Sequence, residues 1–321
     1  MAVTKTEAAR GRYSRVRLPD FLVIGALKAG TTYLDGLLRD HPELCLPDTV
    51  KEVQFFTRHY DRGPTWYARR FAGSGSRLAG EVSPQYLSDP RCPARIHELL
   101  PEVRLLVSLR DPVQRAYSQY KHWVQVSNYG GDFEKFLADY PGAIEEGRYF
   151  VLLSRYLDVF PAQQLHVVIF EDLVRNPGDA MPGIFNFLGV DAGHTPSELP
   201  PANVSTRPRF HRAYAGAKRV SSWLNDRGGG RIVASAKRRG VVRLFGENTA
   251  DGFGSLTPRA AAALGDAYRD DVAMLSMLLE RDLLTTWHSV AEGWAVSKET
   301  KLSSARRRSR LDSARQLRVR V

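Results

Sequence analysis

The sequence predicts an α/β protein in three layers, with a mostly parallel central sheet covered by helices on both faces. Two observations carry this. Short apolar runs (Phe21–Ile24, Leu78–Val82, Val103–Leu109, Leu165–Phe170) alternate with stretches of helical periodicity, and that alternation implies right-handed βαβ crossovers between parallel strands. The first run also passes through a glycine-bounded loop straight into a helix, the arrangement in which open α/β sheets bind anions.

That first unit is FLVIGALKAGTTY, residues 21–33. Gly25 ends the apolar run, and Ala26 to Thr32 lead into the helix. Two glycines let the backbone turn closely enough for successive N–H groups to face one anion, and the helix dipole with the hydroxyls of Thr31 and Thr32 favours negative charge there. The spacing Gly25-x4-Gly30 is P-loop-like, so the fold class is a P-loop-like α/β/α sandwich. Thr31, however, stands where a nucleotide P-loop has its lysine, and the only lysine sits inside the loop, at Lys28. The next apolar run ends in Arg110 and not in a magnesium-binding aspartate. Both departures argue against ATP with magnesium and for a phosphate or sulfate held without metal.

Along the chain, Tyr33, Leu34, Leu37 and Leu38 recur at helical spacing, and His41-Pro42 closes that helix. In Lys51-Glu52-Val53-Gln54-Phe55-Phe56 the aromatic pair must bury and so hold Glu52 near the interior, although a solvated glutamate is the blander reading. Residues 60–67 read as a turn and a short helix containing Trp66, and Leu78–Val82 as a strand that places Glu81 at its C-terminal end. Arg91–Leu100 is amphipathic. Val103–Leu109 runs into Arg110-Asp111-Pro112, where Asp111 is the expected N-cap and Pro112 suits a first turn. Arg110 at the strand end and Ser118 two turns into the helix are suited to a second phosphate, or else form an ordinary strand–helix junction. Helices are expected over 112–126, 132–138, 144–160, 180–188 and 258–284, the last presenting Leu264, Tyr268, Val272, Leu275 and Leu279 on one face.

The net charge of +11 is concentrated at the ends, +3 in residues 1–20 and +7 in residues 301–321, which leaves +1 for residues 21–300. Flexible basic tails are therefore expected at 1–19 and 291–321 around one domain at 20–290, with salt-sensitive contact to acidic surfaces and no specific nucleic-acid binding. Cys45 and Cys92 have no CxxC or CxxH spacing, so neither a zinc site nor a disulfide framework is expected. No apolar run is long enough to span a bilayer and none forms the core of a signal peptide, which fits a cytoplasmic protein.

Taken in order, these segments resemble the sulfotransferases that use 3′-phosphoadenosine 5′-phosphosulfate, in the branch that includes the heparan-sulfate N- and O-sulfotransferases and bacterial relatives. The resemblance covers residues 20–287. It implies that Lys28-Ala29-Gly30-Thr31-Thr32 binds the 5′-phosphosulfate, with Lys28 stabilising the leaving phosphate, and that Arg110 and Ser118 bind the 3′-phosphate. Glu52 matches the family's catalytic carboxylate, and His122 a second acid–base group of its N-sulfotransferases. Arg207 and Arg209 match a basic loop that closes over the nucleotide. Lys51, Glu81 and Trp66 are expected at the acceptor, a carbohydrate, lipid or phenol. The product would be adenosine 3′,5′-bisphosphate. Two rivals make different predictions: a small-molecule kinase would need ATP and magnesium, and a non-catalytic polyanion binder would need the basic ends.

Overall fold

The computed structural model describes residues 17–48, 50–196, 207–208, 246–247 and 256–290. The expected basic tails and Arg209 lie almost wholly outside these residues. Five parallel strands form the central sheet: β1 (Phe21–Gly25), β2 (Leu44–Cys45), β3 (Leu78–Val82), β4 (Arg104–Leu109) and β5 (Leu165–Ile169), in the order β2-β3-β1-β4-β5. β1 pairs with β3 on one side and β4 on the other, Phe21 standing opposite Gly80 and Arg104. Strand order thus reverses at β1, and the crevice beyond the C-terminal ends of β1 and β4 is where ligands of such sheets bind.

The two-residue period of β1 sorts its side chains between two cores. Phe21 and Val23 face α1 (Thr31–Asp40) and a late helix (Pro177–Leu188), meeting Leu34, Leu37, Ile184 and Phe185. Leu22 and Ile24 face the other layer, with Val113, Tyr149, Leu153, Leu264 and Tyr268. Strands buried on both faces read as unbroken apolar runs, which is why these four were legible. Each large core side chain contributes roughly 1.5–3 kcal/mol by burial, and cutting Leu106 to alanine would cost about 2–5 kcal/mol. The edge strand β2, two residues long, was not expected, being too short to carry a pattern.

Between β2 and β3 lies α2 (Gly63–Ala68), and α3 (Cys92–Leu99) precedes β4. Helix α4 (Pro112–Ser127) starts on an Asp111 N-cap that accepts from the N–H groups of Val113 and Gln114 at 2.9 and 3.2 Å. After α5 (Phe133–Asp139), the helix expected at 144–160 is two: α6 (Gly142–Glu145) and α7 (Tyr149–Leu157). The reason is tertiary. Gly147 passes so close to the Tyr268 ring that a Cβ there would collide with it. Asp271, from the long helix α10 (Pro258–Leu278), then starts α7 by accepting from the N–H groups of Phe150 and Val151 at 3.0 and 3.2 Å. That helix ends short of the expected 284; Asp282 opens a separate turn, α11 (Leu283–Thr286). Between β5 and α10 come α8 (Phe170–Arg175) and α9, the Pro177–Leu188 helix, which begins earlier than expected. Arg207–Pro208 pairs antiparallel with Gly246–Glu247. No helix among the described residues is long and apolar enough to cross a membrane.

Candidate active site

The loop after β1 is tied down from β4. The N–H of Ala26 donates to the Ser108 carbonyl at 2.7 Å, and the Ser108 hydroxyl donates to the Ala29 carbonyl at 2.6 Å. Lys28 and Gly30 adopt positive φ, 66° and 78°. For a lysine this is a strained conformation of the kind that over-determined loops hold at functional sites. At Gly30 two demands coincide, because it caps α1 in a left-handed conformation and a Cβ there would run into the Phe170 ring.

Phe170 joins this loop to the end of β4. The Arg110 guanidinium lies over its ring, 5.2 Å from the centroid. Burial lowers the pKa of Arg110, while Glu171, Tyr149 and Asp111 act to raise it. Lys28 is held down to about 8, first by burial and then by the positive charges of Lys51 and Arg110; Glu52 opposes the shift and Lys121 adds to it. A site that gathers four cations so closely that one holds its proton less tightly is short of negative charge, which a phosphate or sulfate group would supply. Lys51 reaches Thr32 with a hydrogen bond of 2.6 Å and is itself lowered by burial.

Glu52 stands at the edge of this cluster, with its Oε1 at 4.0 Å from Lys51 Nζ. Its Oε2 accepts two amide hydrogen bonds, from Gln85 Nε2 at 2.6 Å and Gln54 Nε2 at 3.1 Å. Beside those amides opens a cavity of about 490 Å³, bordered by Leu27 of the loop, Thr57, Arg58, Asp89, Arg91 and Glu146 among others. A carboxylate between an anion-binding cluster and a polar cavity is placed to take a proton from a group that reacts there.

A family model described as "Sulfotransferase domain" matches residues 18–203. The chain belongs to the sulfotransferase domain family. Its solved neighbours include the sulfotransferase from Alicyclobacillus acidocaldarius, 26% identical, with a TM-score of 0.62 over 85% of this chain and 100% of that one. Among curated proteins, the human "Bifunctional heparan sulfate N-deacetylase/N-sulfotransferase 1" is 29% identical over 295 residues, 84% of this chain and 31% of the relative. The "Membrane-associated sulfotransferase kil1" of Dictyostelium discoideum is 39% identical over 112 residues, 34% of this chain and 24% of the relative. The chain thus spans a third or less of the length of these relatives.

Several of the residues singled out from the sequence meet in one crevice: Lys28, Ala29, Gly30, Thr31 and Thr32 at the end of β1, Arg110 at the end of β4, and Lys51 with Glu52 alongside. Ser118 is half-buried in α4, and His122 is exposed one turn further on. Arg207 lies in the short pair with Gly246–Glu247, and of its side chain nothing is described. Glu81 and Trp66 are not among the residues that border the cavity, and nor are Lys51 and Glu52 themselves. Glu81 is 0% exposed, faced by Tyr67, Ser83 and Tyr86, and burial pushes its carboxyl up to about 7. Trp66 packs on Phe55 with the guanidinium of Arg70 4.4 Å from its ring centroid, so it belongs to the aromatic core around the site.

Sequence reasoning missed Lys121, Gln54 and Gln85 as site residues. Lys121 had a local signal: it follows Ser118 by three residues on one helix face. Its amine is lowered by burial and by Arg110, and it lies 4.9 Å from the Tyr117 ring centroid. The glutamines gave no such signal, because what matters is their convergence on one oxygen from two loops.

Proposed function

We propose that the enzyme transfers the sulfuryl group of 3′-phosphoadenosine 5′-phosphosulfate to a hydroxyl or amine of a carbohydrate-type acceptor, with Glu52 as general base. The observation that carries this is the cluster of Lys28, Lys51, Arg110 and Lys121 at the ends of β1 and β4, with the Glu52 carboxylate held at its margin. The donor supplies an activated sulfuryl group and two anionic ends. The Lys28 loop suits the 5′ end, and Arg110 with Ser118 suits the 3′-phosphate. In this reading Lys28 counters the charge that develops on the leaving phosphate, and Glu52 accepts the proton that the acceptor O–H or N–H gives up as its new bond to sulfur forms. His122, one turn beyond Ser118, is a second acid–base candidate, and the loop around Arg207 and Arg209 a candidate closure over the nucleotide.

The carbohydrate class rests on the heparan sulfate named in the relatives' descriptions and on the polar border of the cavity, where Arg58, Arg91, Asp89, Glu146 and the two glutamines offer hydrogen bonds to a hydroxyl-rich molecule. The test is transfer of labelled sulfate from the donor to glycans, glycolipids and phenols, read by mass spectrometry with and without chelator. Sulfated glycan in both conditions is expected. ATP-dependent, magnesium-dependent phosphorylation, or sulfation of phenols alone, would sink this reading.

A further inference from the structure

We propose that Gln85 and Gln54 are positioning residues of the transfer reaction: by spending both side-chain amides on Oε2 of Glu52, they reserve Oε1 as the oxygen that takes the acceptor's proton. The inference rests on the reading of Glu52 as general base.

An ionised carboxylate accepts through two equivalent oxygens, and a free one rotates between them. Here the symmetry is broken. Gln85 at 2.6 Å and Gln54 at 3.1 Å both donate to Oε2, whereas the nearest charged group to Oε1 is Lys51 Nζ at 4.0 Å. The donors are neutral, so they orient the carboxylate without the strong loss of basicity that a guanidinium contact would bring.

Both glutamines are anchored for this task. Gln54 holds a left-handed backbone, φ 52°, that a residue with a side chain rarely adopts. Its N–H donates to the Ser83 hydroxyl at 3.1 Å, and its carbonyl accepts from the N–H groups of Arg58 and His59. Gln85 follows β3, two residues after that same Ser83, and its carbonyl accepts from the N–H of Asp89. Its side-chain oxygen is buried without a hydrogen-bond partner among the described residues. The amide therefore gains only through its N–H, and that N–H goes to Glu52. Ser83 ties the two loops together, so the clamp is a product of the fold around the end of β3. Because both glutamines also border the cavity, an acceptor seated there lies against the groups that orient the base.

The charged groups facing Glu52 are Lys28 and Lys51 on the cation side and Glu81 behind it, with Arg58, Arg91, Asp89 and Glu146 around the cavity. None of them changes in the variants that follow. Gln85→Met keeps length and volume and removes the donor; Gln85→Glu sets a second carboxylate beside the first. Losing a donated hydrogen bond, or gaining a like charge, changes the electron distribution of a carboxylate, so the Glu52 carboxyl resonance should leave its wild-type position in Gln85→Met and also in Gln85→Glu. The readout is ¹³C NMR of protein labelled at glutamate carboxyls, with the Glu52 signal assigned by its loss in Glu52→Gln. Alongside it, Gln85→Met should lower kcat on an N-deacetylated heparan oligosaccharide on the order of tenfold, with calorimetric affinity for adenosine 3′,5′-bisphosphate unchanged within about twofold. If Gln85→Met fails to fold, Gln54→Met removes the other donor to the same oxygen and should shift the signal in the same direction. A Glu52 signal that stays at its wild-type position in Gln85→Met, or a shifted signal with unchanged kcat, overturns the proposal. Glu52→Gln with wild-type turnover overturns the general-base reading instead.

Discussion

At the end of the crevice between β1 and β4, charged groups hang from short loops whose backbone is bonded to the sheet. At the end near β2 and β3, Glu52 is held by side-chain amides from two separate loops. The first end is rigid and starved of anions: Ser108 fixes the loop, Phe170 wedges between Gly30 and Arg110, and burial with neighbouring cations strips Lys28 of part of its proton affinity. The second end borders a cavity whose charged groups include exposed arginines, one of them, Arg91, already paired with Asp89 at 2.6 Å. In the proposed reading, strength of donor binding and choice of acceptor therefore reside in different kinds of structure. A preorganised loop tolerates little change, and a side-chain border is adjustable.

The sharpest way to break this contrast is at the junction. Glu52→Gln should lower kcat by about 10²–10⁴-fold, the span of a lost general base, while adenosine 3′,5′-bisphosphate binds nearly as before; calorimetry showing an equal loss of nucleotide affinity would merge the two ends into one. Next in size is Arg110→Ala, expected to weaken binding of the bisphosphate by roughly 2–4 kcal/mol, as for truncating a buried charge partner. Equal affinities of wild type and variant would remove Arg110 from the donor end.

A smaller effect follows from Lys28. Its amine is charged below about pH 8 and loses its proton above, and an anion binds the charged form. Affinity for the bisphosphate should be full below pH 8 and fall by up to about tenfold per unit above it, with proton uptake visible when calorimetry is repeated in buffers of different ionisation enthalpy. Lys28→Arg should flatten that dependence, because a guanidinium stays charged. A flat wild-type profile would show that the cation cluster does not govern the loop. The smallest effect belongs to the cavity border: Arg58→Ala should raise the acceptor KM by about two- to fivefold with kcat kept, the range for an exposed charge. A collapse of kcat there would show that the border is as preorganised as the donor loop.

Much of this was readable in the chain before folding. The apolar runs of β1, β3, β4 and β5 announced a doubly covered sheet, and Gly25 to Thr32 announced a tight loop between strand and helix, because strand periodicity and loop composition are local properties. Asp111-Pro112 marked the start of α4 for the same reason. The split between α6 and α7 was not readable: it depends on Tyr268 and Asp271, more than a hundred residues away along the chain, pressing on Gly147 and capping Phe150. Nor was the support beneath Arg110. Asp111 donates its N–H to Glu171 at 3.0 Å, Glu171 also accepts from the Trp287 indole at 3.1 Å, and Ser289 bonds both Asp111 and Gln114.

Residue order thus sets the strand–loop–helix units and which chemical groups each of them carries, since those follow from spacing of a few residues. Folding assigns their relations: Glu81 goes into the core, Lys121 joins the cations, and two glutamines meet on one oxygen of Glu52. Those outcomes depend on desolvation and on distances between segments far apart in the chain, and such distances exist only once the parallel sheet has brought the ends of its strands together.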